Sequence, residues 1–200
     1  MSQRESGYER IERDCYETPE WVTRALLPHL GDINSVWEPA AGSGKMARVL
    51  AAAGLQVLAT DISAGQDFLL AGEQSVDAIV TNPPYISATP FIEHALHLMS
   101  GGGKVAMLLR TDFDHAKTRR HLFSNCPAFS CKIVLTKRIR WIANSTGQPS
   151  FNHAWYIWDH KHAGKPTLEY DLIRPTRSAF SVFPGAHGPR QQWQAEHHAR

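Results

Sequence analysis

Short apolar runs alternate along the chain with segments in which apolar residues recur at helical spacing. The apolar runs predict strands over residues 35–37, 55–59, 76–80 and 105–109. Helical spacing predicts helices over about 19–29, over 45–53, and from 89 to the glycines at 101–103. This alternation predicts an α/β fold, with a doubly wound, mostly parallel sheet and helices on both of its faces.

The C-terminal half continues the pattern less regularly. It predicts a helix over 113–123 and strands over 133–135 and 154–158. Without a compositional break over 19–160, we expect a single domain spanning 15–174. Residues 1–14 are charged without an apolar period, which indicates a flexible arm or a frayed helix, and 175–200 are expected to form a loose tail.

The segment Asn82-Pro83-Pro84-Tyr85 follows the predicted strand 76–80 almost directly. Two successive prolines fix φ and keep the residues before them extended, which predicts a stiff corner with outward carbonyls. An exocyclic amine on a planar ring needs one acceptor for each N–H, and the Asn82 side-chain oxygen and the Pro83 carbonyl are candidates. With Tyr85 stacked on that ring, an electrophilic methyl held in line would be attacked through proximity and orientation. The alternative is a plain Pro-Pro turn.

Other polar and glycine-rich residues fall at predicted carboxyl ends of strands, where open parallel sheets bind ligands. The loop 38–44 allows a ligand to approach the backbone at a helix N-terminus. Asp61 follows the loop by roughly 20 residues, the spacing of an acidic side chain that accepts from ribose hydroxyls. Helix capping or a simple turn is the alternative for Asp61. Asp67 and Phe68 are candidates for holding an adenine ring.

Two other cofactor classes fit parts of this loop. Gly42-Ser43-Gly44-Lys45-Met46-Ala47 matches the alanine variant of the dinucleotide fingerprint, but a nicotinamide cofactor leaves the Asn-Pro-Pro-Tyr corner without a role. Gly44-Lys45 also resembles the end of a phosphate-binding P-loop. Met46 stands where Ser or Thr is needed, however, and Pro39 stands where the first glycine should be, so we reject the P-loop.

Charge is distributed unevenly along a chain whose net charge is only +2. Residues 104–140 contain nine Lys/Arg against two Asp/Glu, whereas 1–103 contain six against thirteen. The basic segment predicts either a face for a polyanion or a solvated basic surface. Three cysteines without paired spacing favour a reducing cytoplasm. No membrane span or metal site is expected, because no apolar run approaches ~18 residues and the eleven histidines are scattered.

Taken together, these motifs resemble those of class I S-adenosylmethionine-dependent methyltransferases, over about residues 14–160. The most similar members are the N6-adenine DNA methyltransferases of the small phage and prophage type. The loop 38–44 resembles their cofactor loop, Asn82 to Tyr85 their catalytic motif, and Tyr16-Glu17-Thr18-Pro19 the segment that closes over the methionine end of the cofactor. The resemblance implies S-adenosyl-L-methionine as cofactor, DNA as the partner, and the cytoplasm of a bacterium or of a phage-infected host cell as the location.

Carried over by position, the resemblance implies a role for each matching residue. The cofactor contacts would be Tyr16, Thr18, Pro19, Glu38, Pro39, Ala40, Gly42, Gly44, Asp61, Ile62, Asp67, Phe68 and Asn82. Asn82 and Pro83 would hold the target amine, at a corner stiffened by Pro84, and Tyr85 would stack on the base. Phe151 is the candidate to cover the other face of a flipped base, with a core position beside Trp155 and Trp158 as the alternative. Arg138 and Arg140 are candidate substrate contacts.

The chain departs from sequence-specific relatives because only about forty residues follow the last predicted strand. Target recognition is therefore expected from the basic segment and loop 138–153, or from a partner subunit or homodimer. The same chemistry on RNA adenine or protein glutamine is one rival function. A non-catalytic methyltransferase-like subunit that binds nucleic acid or a partner enzyme is another, but such subunits often lose the loop or the tetrapeptide, and both are intact here.

Overall fold

The structure, a computed structural model, describes residues 16–141 and 151–171. The predicted arm 1–14 and tail 175–200 lie outside the described residues. The strands are β1 (Ser35–Glu38), β2 (Gln56–Ala59), β3 (Ala78–Thr81), β4 (Lys104–Arg110), β5 (Phe129–Val134), β6 (His153–Asp159) and β7 (Thr167–Tyr170). The α-helices are α1 (Glu20–Leu26), α2 (Lys45–Ala52) and α3 (Ala88–Leu98).

Within the described residues the strands form one sheet with the order β2-β1-β3-β4-β6-β5-β7. All neighbouring strands pair in parallel except β6, which is antiparallel to both β4 and β5. The mostly parallel, single-sheet α/β architecture predicted from the sequence is therefore confirmed. Because β6 runs opposite to its neighbours, its first residue lies at the edge where β4 ends.

The sheet is covered on both faces, as its central strands require. Along β4, Val105, Met107 and Leu109 face one apolar cluster with α3, whereas Ala106 and Leu108 face a second cluster with α1 and α2. Both sets are fully buried, which explains why β4 is a continuous apolar run in sequence. In the described ranges, no helix combines the length and the apolar character that crossing a bilayer demands.

Three elements differ from the sequence prediction. Residues 113–123 form two short 3₁₀ helices, Phe113–His115 and Lys117–Leu122, because Ala116 between them is extended. Strand β5 begins at Phe129, four residues earlier than predicted, and an irregularity between Phe129 and Cys131 disturbs its alternation. Strand β7 was not predicted, since it is only four residues long and its two apolar residues, Leu168 and Tyr170, are exposed.

Candidate active site at the carboxyl edge of the sheet

Four strand termini bring polar side chains to one edge of the sheet. Glu38 ends β1, Asn82 follows β3, and Arg110 ends β4, where its Cα partner is His153 of the reversed strand β6. Three of the buried side-chain polar atoms that lack a hydrogen-bond partner among the described residues lie at the same edge, on Glu38, Thr81 and Asn82. Such atoms are rare in folded proteins, and their clustering indicates a ligand site.

One hydrogen bond orients the Asn82 side chain. Its Nδ2 donates to the Tyr16 carbonyl oxygen at 3.3 Å, which orients the side-chain amide. Its Oδ1 is buried and accepts no hydrogen bond within the described residues. After Pro84, which is extended, Tyr85–Ser87 form a 3₁₀ turn in which the Ser87 amide donates to the Pro84 carbonyl. The Pro-Pro corner thus holds Asn82 and Tyr85 on a rigid support.

The glycine loop joins β1 to α2 in a conformation that needs glycine. Gly42 and Gly44 have φ of 52° and 76°, and Gly44 is the N-cap of α2. The loop is fastened to the neighbouring strand end, since the Gly42 amide donates to Asp61 Oδ2 at 2.8 Å and the Ala41 amide to the Thr60 carbonyl at 3.0 Å. A Cβ on Gly42 would meet no atom within 4 Å, so open space adjoins the backbone there. A ligand can therefore approach this backbone closely.

Glu38 is a buried carboxyl group at the base of the loop, with only 2% of its surface exposed. Burial raises its pKa to about 8, and the charge of Asp61 adds to this, against the Ala47 backbone hydrogen bond and the charge of Arg48. Its Oε2 has no hydrogen-bond partner among the described residues. A buried carboxyl in this state favours a cationic ligand, which would stabilise the ionised form.

Asp61 and Asp67 both cap short 3₁₀ helices. Asp61 Oδ1 accepts from the Ser63 amide at 2.8 Å and from its hydroxyl at 2.6 Å, and Asp67 Oδ1 accepts from the Leu69 amide at 3.0 Å. Partial burial opposes ionisation of Asp61, but hydrogen bonds from Ser63 and Gly42 outweigh it and lower the pKa of Asp61. Asp61 therefore caps a helix, as the alternative interpretation of the sequence expected, and its carboxylate also positions the glycine loop. Its contact with ribose stays a prediction.

Phe68 corrects one expectation. Its ring is 2% exposed and packs against Trp37, Phe91 and His94, with centroid distances of 5.1, 4.9 and 5.0 Å. A ring enclosed in this way belongs to the core and offers no free face to an adenine. Ile62, by contrast, is 60% exposed beside Asp61 and provides an apolar surface near the glycine loop.

The segment Tyr16–Pro19 lies between the two motifs. The Tyr16 carbonyl accepts from Asn82, and the Glu17 carboxylate lies 3.8 Å from Lys45 Nζ at the start of α2. Thr18 is buried, and Pro19 is the N-cap of α1. The segment therefore connects the glycine loop with the Asn-Pro-Pro-Tyr corner, as a closing segment would.

Successive contacts between aromatic side chains connect this segment with Tyr85. Tyr16 contacts Trp141 at a centroid distance of 5.6 Å, and Trp141 meets His153 edge-on at 5.1 Å. His153 Nε2 lies 2.8 Å from the Tyr85 hydroxyl. Sequence analysis did not identify Trp141 or His153. The available signal was a histidine at the start of a strand that is otherwise apolar.

The substrate-contact candidates lie near the ends of β4 and β6. The Arg110 guanidinium stacks on the Phe151 ring at 3.9 Å, and Arg138 Nε donates to Asn152 Oδ1 at 2.9 Å. Phe151 is half-buried and lies outside the buried core. The alternative interpretation of Phe151, as a core residue beside Trp155 and Trp158, is therefore wrong. Arg140 is exposed on the same segment as Arg138.

Solved structures share this fold at low sequence identity. A protein described as a class I S-adenosylmethionine-dependent methyltransferase of Listeria monocytogenes aligns with a TM-score of 0.55 and 13% identity, covering 82% of this chain and 67% of that one. A protein described as a hemolysin of Lactococcus lactis aligns with a TM-score of 0.53 and 12% identity, covering 79% and 93%. No protein-family model and no curated protein sequence matches the chain. The chain thus has the Rossmann-like fold seen in class I methyltransferases.

Proposed function

We propose that the protein is an S-adenosylmethionine-dependent methyltransferase that modifies the N6 amine of adenine in DNA. One observation carries the proposal: Asn82 Oδ1 is a buried acceptor without a partner in the described residues, in an Asn-Pro-Pro-Tyr corner at the ligand-binding edge of the sheet. The amide is oriented by its Nδ2 hydrogen bond, so the oxygen is the atom left to receive a donor.

The proposed mechanism follows from the chemistry of the N6 amine of adenine. Its lone pair is delocalised into the ring, so it is a poor nucleophile until both N–H groups are held by acceptors. Asn82 Oδ1 and the Pro83 carbonyl would hold them and aim the lone pair. Neither group takes the amine proton, because an amide oxygen is a very weak base. The surplus proton passes to water after the new N–C bond has formed and the methyl–sulfur bond has broken.

The residues around the glycine loop fit the proposed cofactor. Glu38, buried with an unpartnered oxygen, would face the cationic methionine end, and the open backbone at Gly42 would accommodate its close approach. Asp61 and Ile62 would flank the ribose and the adenine. When bound, S-adenosylmethionine supplies the electrophilic methyl group.

The charge of the chain supports nucleic acid as the substrate. Arg110 and Arg138 flank Phe151 beside the corner, and Lys117 and Arg120 are exposed on the following segment. Cations at the rim of a planar-base site suit phosphate contacts. In the proposed arrangement the basic segment therefore holds the DNA backbone. The target adenine, extruded from the base stack, lies between Tyr85 and Phe151.

The test is methyl transfer from labelled cofactor to unmethylated DNA, with RNA and cell-extract protein in parallel. The nucleic acid products are digested to nucleosides and separated. We expect label in N6-methyldeoxyadenosine. Label in RNA adenosine or in protein glutamine would overturn the DNA assignment while keeping the role of Asn82.

Asn82→Ala is the decisive variant, with Asn34→Ala as the matched control, because Asn34 is exposed and lies just before β1, at the opposite edge of the sheet. Asn82→Ala should abolish transfer and leave calorimetric cofactor binding largely intact. Wild-type turnover in Asn82→Ala would refute the proposed mechanism. Cofactor binding without transfer by the wild-type chain to any substrate would favour a missing partner subunit.

A further inference from the structure

Tyr85 is held in place both at its backbone and at its side-chain hydroxyl. Its backbone begins the 3₁₀ turn that follows the Pro-Pro corner, and its hydroxyl lies 2.8 Å from His153 Nε2. The two residues are 68 positions apart in the sequence: Tyr85 lies in the turn that follows β3, and His153 is the first residue of β6. The corner alone sets only the start of the Tyr85 side chain, whereas the hydrogen bond at its tip restricts rotation of the whole ring.

His153 is itself held firmly. Its side chain is 2% exposed, its Cα pairs with Arg110 in the β4–β6 ladder, and Trp141 covers it edge-on. The charged groups near it are Arg110 and Asp112, which bind each other. Burial and then the Arg110 charge lower the pKa of His153 to about 4, against a Phe151 backbone hydrogen bond and the charge of Asp112. The ring is therefore neutral throughout the physiological range.

We propose that His153 is a positioning residue for the transfer reaction: its hydrogen bond to the Tyr85 hydroxyl fixes the ring against which the planar substrate stacks beside Asn82. The inference rests on the proposed function, since it assigns His153 a task in amino-group methylation. His153 acts through Tyr85 and does not itself touch the reacting atoms.

Fixing the Tyr85 ring lowers the cost of ordering it when substrate binds, and it keeps the base in line with the acceptors. The contact does not depend on which ring nitrogen carries the proton, because a tyrosine hydroxyl can donate or accept. Glutamine can replace either role, since its terminal amide has both a donor and an acceptor. Phenylalanine fills the volume but removes the hydrogen bond.

The experiment is a double-mutant cycle on single-turnover transfer, with His153→Phe, Tyr85→Phe, the double variant and His153→Gln. Each single phenylalanine variant should lower the rate about three- to tenfold, the range of one neutral hydrogen bond. The double variant should be no slower than either single one, and His153→Gln should recover most of the lost rate. His97→Gln, at an exposed histidine of α3 that lies outside the basic segment 104–140, is the control and should leave the rate unchanged.

A His153→Phe variant with the wild-type rate, or additive effects in the double variant, would overturn the inference while leaving the proposed function standing. A wild-type protein that neither binds the cofactor nor transfers a methyl group to any substrate would instead refute the proposed function. In that case NMR tests the contact between His153 and the Tyr85 hydroxyl directly. The ¹⁵N chemical shift of His153 Nε2 should change in Tyr85→Phe, and an unchanged chemical shift would overturn the inference. Thermal unfolding verifies that each variant is folded.

Discussion

Glu38→Gln separates the effect of a buried carboxyl on stability from its effect on ligand binding. The glutamine keeps the size of the side chain but cannot ionise. In the wild-type chain the carboxyl is 2% exposed, and its pKa is raised to about 8, chiefly by burial. The ionised form is therefore unfavourable in the folded protein without ligand.

The size of the effect follows from linkage. The pKa in the folded chain lies above its ordinary value of 4.5, so the neutral carboxyl contributes its full stability below about pH 4.5. That contribution is lost as the pH rises through about 8. With about 1.4 kcal/mol for each pKa unit, the loss is on the order of 3–5 kcal/mol. Glu38→Gln should therefore match wild type near pH 5 and exceed its free energy of unfolding by that order at pH 9.

Cofactor binding should change in the opposite direction. A cationic ligand favours ionised Glu38, so binding to the wild-type chain near pH 7 should release a proton, and affinity should rise with pH up to about 8. Glu38→Gln should bind about 10- to 100-fold more weakly at high pH, the loss of one hydrogen bond to a charged group, and without proton release.

The assays are urea unfolding at a series of pH values and calorimetry of cofactor binding in two buffers of different ionisation enthalpy. Comparing variant with wild type cancels the groups common to both. Parallel stability profiles from pH 5 to 9, or unchanged affinity with unchanged proton release, would refute the role assigned to Glu38.

Further predictions concern the loop, the basic rim and the polar network after β4. Gly42→Val places a β-branched residue at φ 52°, which should cost about 1–3 kcal/mol of stability and weaken cofactor binding, as thermal unfolding and calorimetry can verify. Arg138→Ala should weaken DNA binding and reduce the slope of log K against log salt by about 1, whereas the exposed Lys165→Ala should not; an unchanged slope would remove Arg138 from the interface. Asp114→Ala leaves the mostly buried Lys132 ammonium without its 2.8 Å partner and should cost about 3 kcal/mol in urea unfolding.

The sequence predicted those parts of the molecule that depend on local pattern. Strands β3 and β4 are buried on both faces, so their apolar runs are continuous and easily recognised. The Asn-Pro-Pro-Tyr corner was evident because two prolines after a buried strand restrict the backbone regardless of its surroundings. The glycine loop was found because positive φ at Gly42 and Gly44 requires that residue type.

The missed features depend on contacts between distant segments. His153 gained its place because β6 inserts in reverse beside β4, which no local pattern encodes. The helix predicted over 113–123 is interrupted because Asp114 binds Lys132 and the Tyr156 hydroxyl, and these contacts hold the segment away from helical geometry. The family resemblance places Phe68 against the adenine of the cofactor, whereas in the structure its ring completes the core.

The position of β6 also determines the order in which this chain can fold. Strand β5 pairs only with β6 and β7 in the described sheet, and both follow it in the sequence. During synthesis β5 therefore has no partner, and the apolar edge of β4 stays open until β6 has emerged. Unpaired strand edges of this kind are prone to aggregation. A chain that stops before His153 would carry the glycine loop and the corner but would lack the strand that completes the sheet, so both halves must fold as one cooperative unit.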